Sequence, residues 1–169
     1  MLRLFLIITL PLFVLDQVTK RAIVARFDPP DPVTRIVDYQ TVIPGFFDLV
    51  RVHNRGVAFG MFNGGQWSNY IFGGISVVAL TVILFLWKKG ILASLMSRIA
   101  GALLISGILG NVTDRLTLGY VVDFLHFEVN NWAWPSFNVA DACITIAAGL
   151  LILDSFLNPH PPASKESEA

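Results

Sequence analysis

Four stretches of the chain are almost wholly apolar, and each approaches the length of about 20 residues that a helix needs to cross a bilayer. They run from about Leu2 to Val24, Tyr70 to Trp87, Ile91 to Leu109 (extending towards Leu118) and Phe137 to Leu157. The pattern predicts four transmembrane helices, an even number that leaves both termini on the same side of the membrane.

The first stretch is also compatible with a cleavable signal peptide, because Arg3 precedes an apolar run from Leu4 to Leu15. No small-x-small cleavage site follows that run. Asp16 and Lys20 instead continue the helical pattern. We therefore predict an uncleaved membrane anchor.

The connection from about Ala25 to Ser68 is too long for a plain loop and is expected to carry structure of its own. Within it, Phe47 to His53 is rich in β-branched and aromatic residues and follows the Pro44-Gly45 turn signal, which predicts a strand. Val121 to Val129 is typical of a second strand. The predicted fold is a mostly α membrane protein, with four transmembrane helices and a small extracytoplasmic β-sheet that forms a cradle.

These elements predict a single four-helix transmembrane domain over residues 1–158, with the cradle supplied mainly by residues 25–68. Residues 159–169 are rich in Pro, Ser and Glu and are predicted to form a disordered cytoplasmic tail. The basic residues Lys88, Lys89 and Arg98 crowd the shortest connection, which favours cytoplasmic termini.

Composition supports the membrane assignment and argues against some classes of partner and cofactor. Charged residues are 14% of the chain, against roughly 25% in ordinary soluble domains. Twelve basic and twelve acidic residues give no net charge, so nothing favours a nucleic-acid partner. The single cysteine, Cys143, rules out an intrachain disulfide, and no His/Cys cluster has metal-binding spacing. No metal or cofactor is expected.

Polar and charged residues interrupt the apolar stretches near one predicted membrane face. Ionisable groups in hydrocarbon cost at least ~2.5 kcal/mol each, so they are rare there without a role. Several at one depth therefore suggest a buried polar site. The residues concerned are Asp16, Lys20, Asn111, Asp114, Arg115, Asn138 and Asp141.

Structural roles remain open for most of these residues. Asp16 and Lys20 are four apart, so they share a helix face and could pair to lower the cost of burial, or Lys20 could snorkel to the interface. Asp114 and the following arginine could tether a helix end. Asn138 could cap the fourth helix, three residues before Asp141.

Asp123 lies in an apolar, strand-like run just outside the third stretch. It could be an exposed turn residue, but its apolar neighbours argue against full exposure. If the third and fourth spans pack together, Asp123 and Asp141 would meet near the outer interface. Two close carboxyls in a low-dielectric site cannot both ionise easily, so one keeps a proton. Such a pair can hold a water, with the charged member as base and the protonated member as acid.

Other nucleophiles and bases are less well placed. Cys143 falls on the opposite side of the helix from Asp141 and is expected to fill apolar space. His53, at a strand end, is expected to be structural. His126 and His160 have no evident partner in the sequence.

At this point the motifs closely resemble those of one family, the bacterial lipoprotein signal peptidases, also called signal peptidase II. Five segments carry the resemblance, in order from the first span to the last. They are Asp16-Gln17-Val18-Thr19-Lys20, Val52-His53-Asn54-Arg55-Gly56-Val57-Ala58-Phe59-Gly60, Gly110-Asn111-Val112-Thr113-Asp114-Arg115, Gly119-Tyr120-Val121-Val122-Asp123-Phe124 and Phe137-Asn138-Val139-Ala140-Asp141.

The resemblance implies an aspartic protease of the bacterial inner membrane that cleaves diacylglyceryl-modified prolipoproteins just before the lipidated cysteine. It implies that Asp123 and Asp141 are the catalytic pair. The resemblance also implies that some polar residues bind the substrate backbone or position the catalytic pair, and that others support the site. The first group is Asn54, Asn111, Arg115 and Asn138, and the second is Asp16, Lys20, Gly56 and Asp114. Lipidated substrates and membrane lipids are the expected partners, and a monomer is expected.

Two rival functions stay open on the sequence. Buried Asp, Asn and Arg also form ion relays in proton-coupled transporters, although here the charges cluster at one face and no span is visibly broken at mid-depth. A membrane scaffold, in which polar residues only join helices, is the second rival.

Overall fold

The computed structural model describes residues 2–34, 37–56, 66–130 and 132–158. Within those ranges four helices are long and apolar enough to cross a membrane, which confirms the predicted spans. They are α1 (Leu2–Arg26), α2 (Gln66–Lys88), α3 (Leu95–Leu118) and α4 (Val139–Leu157). The predicted tail, 159–169, lies outside the described residues.

Capping residues set the helix boundaries more sharply than hydropathy does. The predicted third span began at Ile91, but α3 begins at Leu95 because the Ser94 hydroxyl accepts a hydrogen bond from the Ser97 amide. The predicted fourth span began at Phe137, but Asn138 is the N-cap of α4. At its other end α3 stops at Gly119, whose φ of +79° suits a residue without a side chain.

Helix α3 is the centre of the bundle. Its Ala100 and Leu103 pack against Cys143 and Ala147 of α4, in a cluster of buried residues. Close approach depends on small residues, because a Cβ added at Gly107 would lie 2.5 Å from the carbonyl oxygen of Ala140. By contrast, α2 contacts α3 along one side and leaves most of its surface free to face lipid.

A four-stranded antiparallel sheet lies beyond the helix ends, which confirms the predicted cradle as a small sheet. Its strands are β1 (Tyr39–Ile43), β2 (Phe47–Asn54), β3 (Val121–Val129) and β4 (Trp132–Ala133), in the order β1-β2-β3-β4. The predicted strands correspond to β2 and β3, whereas β1 and β4 were not predicted. The register sets Val52 opposite Asp123 and Asn54 opposite Val121.

Arg51 of β2 fastens the sheet to the first helix. Its Nη1 donates to the carbonyl oxygens of Val24, at 3.2 Å, and Phe27, at 2.8 Å. Those carbonyls belong to the end of α1, where no further helical turn supplies partners. The side chain is buried, so strand and helix end are held together by a charged group in a dry environment.

Candidate active site

Asp123 is held in β3 by two side-chain amides. Its Oδ1 accepts a hydrogen bond of 2.7 Å from Nδ2 of Asn138, and its Oδ2 accepts one of 2.9 Å from Nδ2 of Asn54. The residue is 2% exposed, so the expectation that it avoids an exposed turn is confirmed. Both acceptor oxygens are therefore oriented by the protein, from β2 and from the cap of α4.

Asp141 lies in the first turn of α4 and is part of its capping box. The Asp141 amide donates to Oδ1 of Asn138, while Asp141 Oδ2 accepts from the Asn138 amide at 3.3 Å. Its other oxygen, Oδ1, accepts from Nδ2 of Asn111 at 2.7 Å. The carboxylate is half-buried and sits at a helix N-terminus, which favours negative charge.

Asn138 joins the two aspartates. It is fully buried, caps Asp141 through its oxygen and backbone amide, and donates through Nδ2 to Asp123. The two predicted aspartates are 18 positions apart in sequence, and in the structure both are hydrogen-bonded to the same asparagine. The cap that the sequence suggested for Asn138 exists, and it also contacts Asp123.

Burial, and to a smaller extent the nearby carboxylate of Asp141, raise the pKa of Asp123 to about 7. The hydrogen bonds from Asn54 and Asn138 and the charge of Lys20 act in the opposite direction but are smaller. Near neutral pH a large fraction of Asp123 therefore carries a proton. A protonated carboxyl beside an ionised one is suited to acid–base chemistry on a water held between them.

Behind the aspartates is a second polar group, here called the lysine cluster: Asp16, Gln17, Lys20, Asn111 and Asp114. Lys20 Nζ lies 2.9 Å from Asp16 Oδ2 and 3.0 Å from Asp114 Oδ2, and it donates to Asn111 Oδ1 at 3.1 Å. Lys20 is 2% exposed, so the interpretation that it snorkels to the interface is wrong. The predicted pairing of Asp16 with Lys20 is confirmed.

The lysine cluster fixes both segments that carry the aspartates. Asp16 Oδ1 accepts from the Ala140 amide at 2.9 Å, in the turn that contains Asp141. Asp114 Oδ2 accepts from the Val122 amide at 3.1 Å, next to Asp123. The cluster therefore connects α1 and α3 to the start of α4 and to the start of β3.

Gln17 was not singled out from the sequence, yet it completes the lysine cluster. Its Nε2 donates to Asp16 Oδ2, to the carbonyl oxygen of Gly110 and to Asp114 Oδ1, over 3.1–3.2 Å. It spans α1 and α3 with one amide group. A polar residue inside an apolar helix, beside Asp16, was the signal that could have identified it.

Arg115 is close to the aspartates but is not in an ion pair with a carboxylate among the described residues. Its Nη1 makes a long contact of 3.4 Å to the carbonyl oxygen of Asn111, and its guanidinium lies 5.0 Å above the Phe72 ring. Asp114, its neighbour, pairs with Lys20 instead. The proposed Asp114–Arg115 tether is thus formed by Asp114 alone.

Gly56 positions Asn54. The Gly56 amide donates to Asn54 Oδ1 at 2.8 Å, which leaves the Asn54 nitrogen to face Asp123. Gly56 has φ of +80°, and a Cβ there would overlap the ring of Phe72. Only glycine suits both constraints.

The remaining candidates have packing roles. His53 stacks on Tyr120 with a centroid distance of 3.8 Å, and burial with the charges of Arg51 and Arg55 lowers its pKa to about 4. His126 has a partner that the sequence did not reveal, because its Nδ1 lies 3.1 Å from Ser136 Oγ.

Cys143 is buried in the α3–α4 contact, as predicted. Phe59 and His160 lie outside the described residues.

Comparison with known proteins gives consistent results. Residues 8–157 match the family model described as signal peptidase (SPase) II. The lipoprotein signal peptidase of Alteromonas mediterranea is 43% identical, over 91% of this chain and 81% of that protein. That of Pseudoalteromonas atlantica is 39% identical, over 91% and 90%.

Two solved structures of bacterial membrane enzymes share the fold. One has a TM-score of 0.77 at 29% identity and covers 98% of this chain and 93% of its own. The other has a TM-score of 0.73 at 31% identity, with coverage of 92% and 94%.

Proposed function

The chain belongs to the signal peptidase II family, which processes the signal peptides of prolipoproteins, and from that premise we propose that it is an aspartic endopeptidase. Its substrate is a prolipoprotein that already carries a diacylglyceryl group on its cysteine. The enzyme cleaves the peptide bond just before that cysteine and uses a water activated between Asp123 and Asp141.

In this mechanism the half-buried Asp141 is ionised and takes a proton from the water, whose oxygen adds to the substrate carbonyl carbon. Protonated Asp123 donates its proton to the developing oxyanion. The carbon–nitrogen bond then breaks as the proton held by Asp141 passes to the leaving amine. Asp123 recovers its proton when the carbonyl re-forms, so the pair returns to its starting state.

The observation that carries this proposal is the set of contacts made by Asn138. Buried Asn138 is hydrogen-bonded to both carboxyl groups, because its side-chain Nδ2 donates to Asp123 and its backbone amide donates to Asp141. The pKa of Asp123 is raised to about 7. A merely structural pair of acids would be stabilised by pairing each with a cation. Lys20, whose charge acts on Asp123, is instead bonded to Asp16 and Asp114.

The other site residues act on this pair from defined positions. Asn54 and Asn138 orient Asp123, while Asn111 orients Asp141. Arg115 supplies a positive charge near both carboxyls and is free to bind substrate. The lysine cluster and Gly56 support these groups without contacting the reacting bond.

Placement in the membrane follows from the substrate and the loop charges. We assign both termini to the cytoplasm, because Lys88 and Lys89 lie at the short α2–α3 connection. The sheet and the aspartates then lie at the outer face of the inner membrane, where the lipid chains of the substrate remain in the bilayer. The enzyme acts as a monomer in this scheme.

The rival functions make different predictions. A transporter needs polar groups through the membrane thickness, whereas α2 has no Asp or Glu and carries its single Lys at its C-terminal end. Ion flux into liposomes carrying the pure protein would favour that rival. A scaffold would tolerate Asn at both aspartates.

The direct test uses purified protein in detergent and a lipidated prolipoprotein, with formation of the shortened product as the readout. We expect Asp123→Asn and Asp141→Asn each to lower turnover by at least about a thousandfold, because either removes one proton-transfer step and disturbs the other. Both variants should keep the folded thermal transition. Near-normal turnover by either one would exclude the proposed pair. Asp48→Asn, an acid in β2 that contacts neither carboxyl, is the matched control.

A further inference from the structure

A cavity of about 550 Å³ lies between α2, the end of α3 and the segment that enters β3. One of its lining residues, Arg115, interacts electrostatically with both aspartates. Its lining includes Arg55, Asn69, Arg115 and Tyr120. Arg55 directly follows Asn54, the residue bonded to Asp123, and Tyr120 precedes β3. The cavity is therefore lined by the chain segments that carry Asp123 and its partner Asn54.

The cavity is electropositive. Two arginines line it, and no acidic residue does so among the described residues. Arg115 Nε is buried and has no hydrogen-bond partner in the described part of the chain. A buried donor without a partner is costly, so Arg115 Nε is suited to bind a ligand. In a cavity lined by two arginines that ligand should be an acceptor and should carry negative charge.

A second unpaired atom, in Asn69, restricts which ligands the cavity could bind. Asn69 donates from Nδ2 to the carbonyl oxygen of Gly119 at 2.6 Å, which fixes the orientation of its amide. Its Oδ1 is buried and has no donor among the described residues. The ligand should therefore offer a hydrogen-bond donor, such as an N–H group, as well as an anionic group. A phosphodiester group by itself has the anion but not the donor.

We infer that this cavity binds the new C-terminus of the released signal peptide, an inference that rests on the proposed function. Hydrolysis adds water across the peptide bond, breaks the carbon–nitrogen bond and yields a carboxylate and an ammonium group. The carboxylate forms next to Asp141, which repels it, and the arginines Arg55 and Arg115 offer it a counter-charge. The N–H of the same terminal residue is the donor that Asn69 lacks.

The test measures binding, not turnover, and uses two synthetic six-residue peptides with the sequence of the signal-peptide end. One peptide ends in a free carboxylate and the other in an amide. Calorimetry with the full protein in zwitterionic nanodiscs should give about tenfold tighter binding of the acid. Arg55→Gln should reduce that ratio to about twofold or less, because the exposed Arg55 supplies half of the charge. Arg26→Gln, an exposed arginine at the end of α1, should leave the tenfold ratio intact.

Equal binding of acid and amide by the unaltered protein would overturn the inference, and so would an unchanged ratio in Arg55→Gln. If the ratio is near one while phosphatidylglycerol binds more weakly to Arg55→Gln, the cavity holds a lipid headgroup instead. Since the peptides are products, the ratio can be measured even if no substrate is cleaved. Failure of the proposed function and failure of this inference are therefore separate results.

Discussion

Two polar clusters, each containing a buried carboxylate, lie at opposite ends of the α3–α4 pair, and they are built differently. At one end is the lysine cluster. At the other is a serine cluster, defined by Ser94, Ser97, Asp154 and Asn158. In the serine cluster a single oxygen, Asp154 Oδ1, accepts from Ser94 Oγ at 2.6 Å and from Asn158 Nδ2 at 2.8 Å.

In the lysine cluster both carboxylates use both of their oxygens. Asp16 accepts from Ala140 on one oxygen and from Gln17 and Lys20 on the other. Asp114 likewise accepts from Gln17 on one oxygen and from Val122 and Lys20 on the other. An amide could replace Asp154 without losing an acceptor that is in use, but it could not replace Asp16. Burial alone therefore does not determine how much a carboxylate matters.

The largest effect is expected for Asp16→Asn. The new NH₂ group would face either the Ala140 amide or the Lys20 ammonium, and Lys20 would keep one carboxylate in place of two. Breaking a buried ion pair costs about 3–5 kcal/mol, so we expect little folded protein and a strongly lowered thermal transition in detergent. A variant that folds normally but has lost all turnover would instead place Asp16 in the reaction itself.

Gly110→Ala should have the next largest effect. An added Cβ would lie 2.5 Å from Asp16 Oδ2 and 2.9 Å from Ala140 Cβ, so α1 or α4 must move. Overpacking of this kind costs about 1–3 kcal/mol, and turnover should fall as the Asp141 turn shifts. Gly149→Ala, on the same helix as Asp141 but with open space around it, is the control. Equal behaviour of the two variants would show that the lysine cluster tolerates displacement.

The pH dependence tests whether Asp123 is the acid. Because the pKa of Asp123 is raised to about 7, the protonated fraction falls as pH rises above that value. We expect kcat/KM to decline about tenfold per pH unit above 7, measured on the lipidated substrate. Folding stability should also fall as the pH rises from about 4 to 7, because the folded state binds the proton more tightly than the unfolded chain.

In Asp123→Asn that dependence of stability on pH should be reduced, because the titrating group has been removed. Thermal transitions in detergent at pH 5 and pH 8 measure this difference directly. An alkaline limb near pH 9, or a slope of stability that survives in the variant, would contradict the assignment.

The smallest effect is expected for Asp154→Asn. The amide oxygen can accept the hydrogen bonds from Ser94 and Asn158, so stability should change by less than about 1 kcal/mol and turnover by less than about twofold. Thermal melting of the Asp154→Asn and Asp16→Asn variants under the same conditions compares their losses of stability in one experiment. If Asp154→Asn lowered stability as much as Asp16→Asn, the charge of each carboxylate, and not the number of hydrogen bonds it accepts, would determine its contribution to stability.

The sequence predicted the elements whose signals are local. Four apolar stretches gave the four spans, and two runs rich in β-branched and aromatic residues gave β2 and β3. β1 was missed although four of its five residues are aromatic or β-branched, because the run is short and all five positions are exposed, so that no buried face marks it in the sequence. The start of α3 was misplaced because the hydropathy of Ile91 outweighed the capping signal of Ser94.

The candidate site was also predicted only in part. The lengths of the spans predicted that polar residues gather at one membrane depth. Which atoms meet did not follow, because Asp114 reaches the Val122 amide and Asp16 reaches the Ala140 amide through packing between distant segments. Motif resemblance supplied the candidate residues, whereas the sharing of Asn138 by Asp123 and Asp141 needed coordinates.

Arg51 has a further consequence for how the protein responds to its bilayer. It donates hydrogen bonds to carbonyls at the end of α1, and three residues later in the same strand Asn54 donates one to Asp123. Helices tilt when the hydrocarbon layer becomes thinner or thicker. A tilt of α1 would pull on β2 through the guanidinium, which gives bilayer thickness a mechanical route to the geometry of the aspartates.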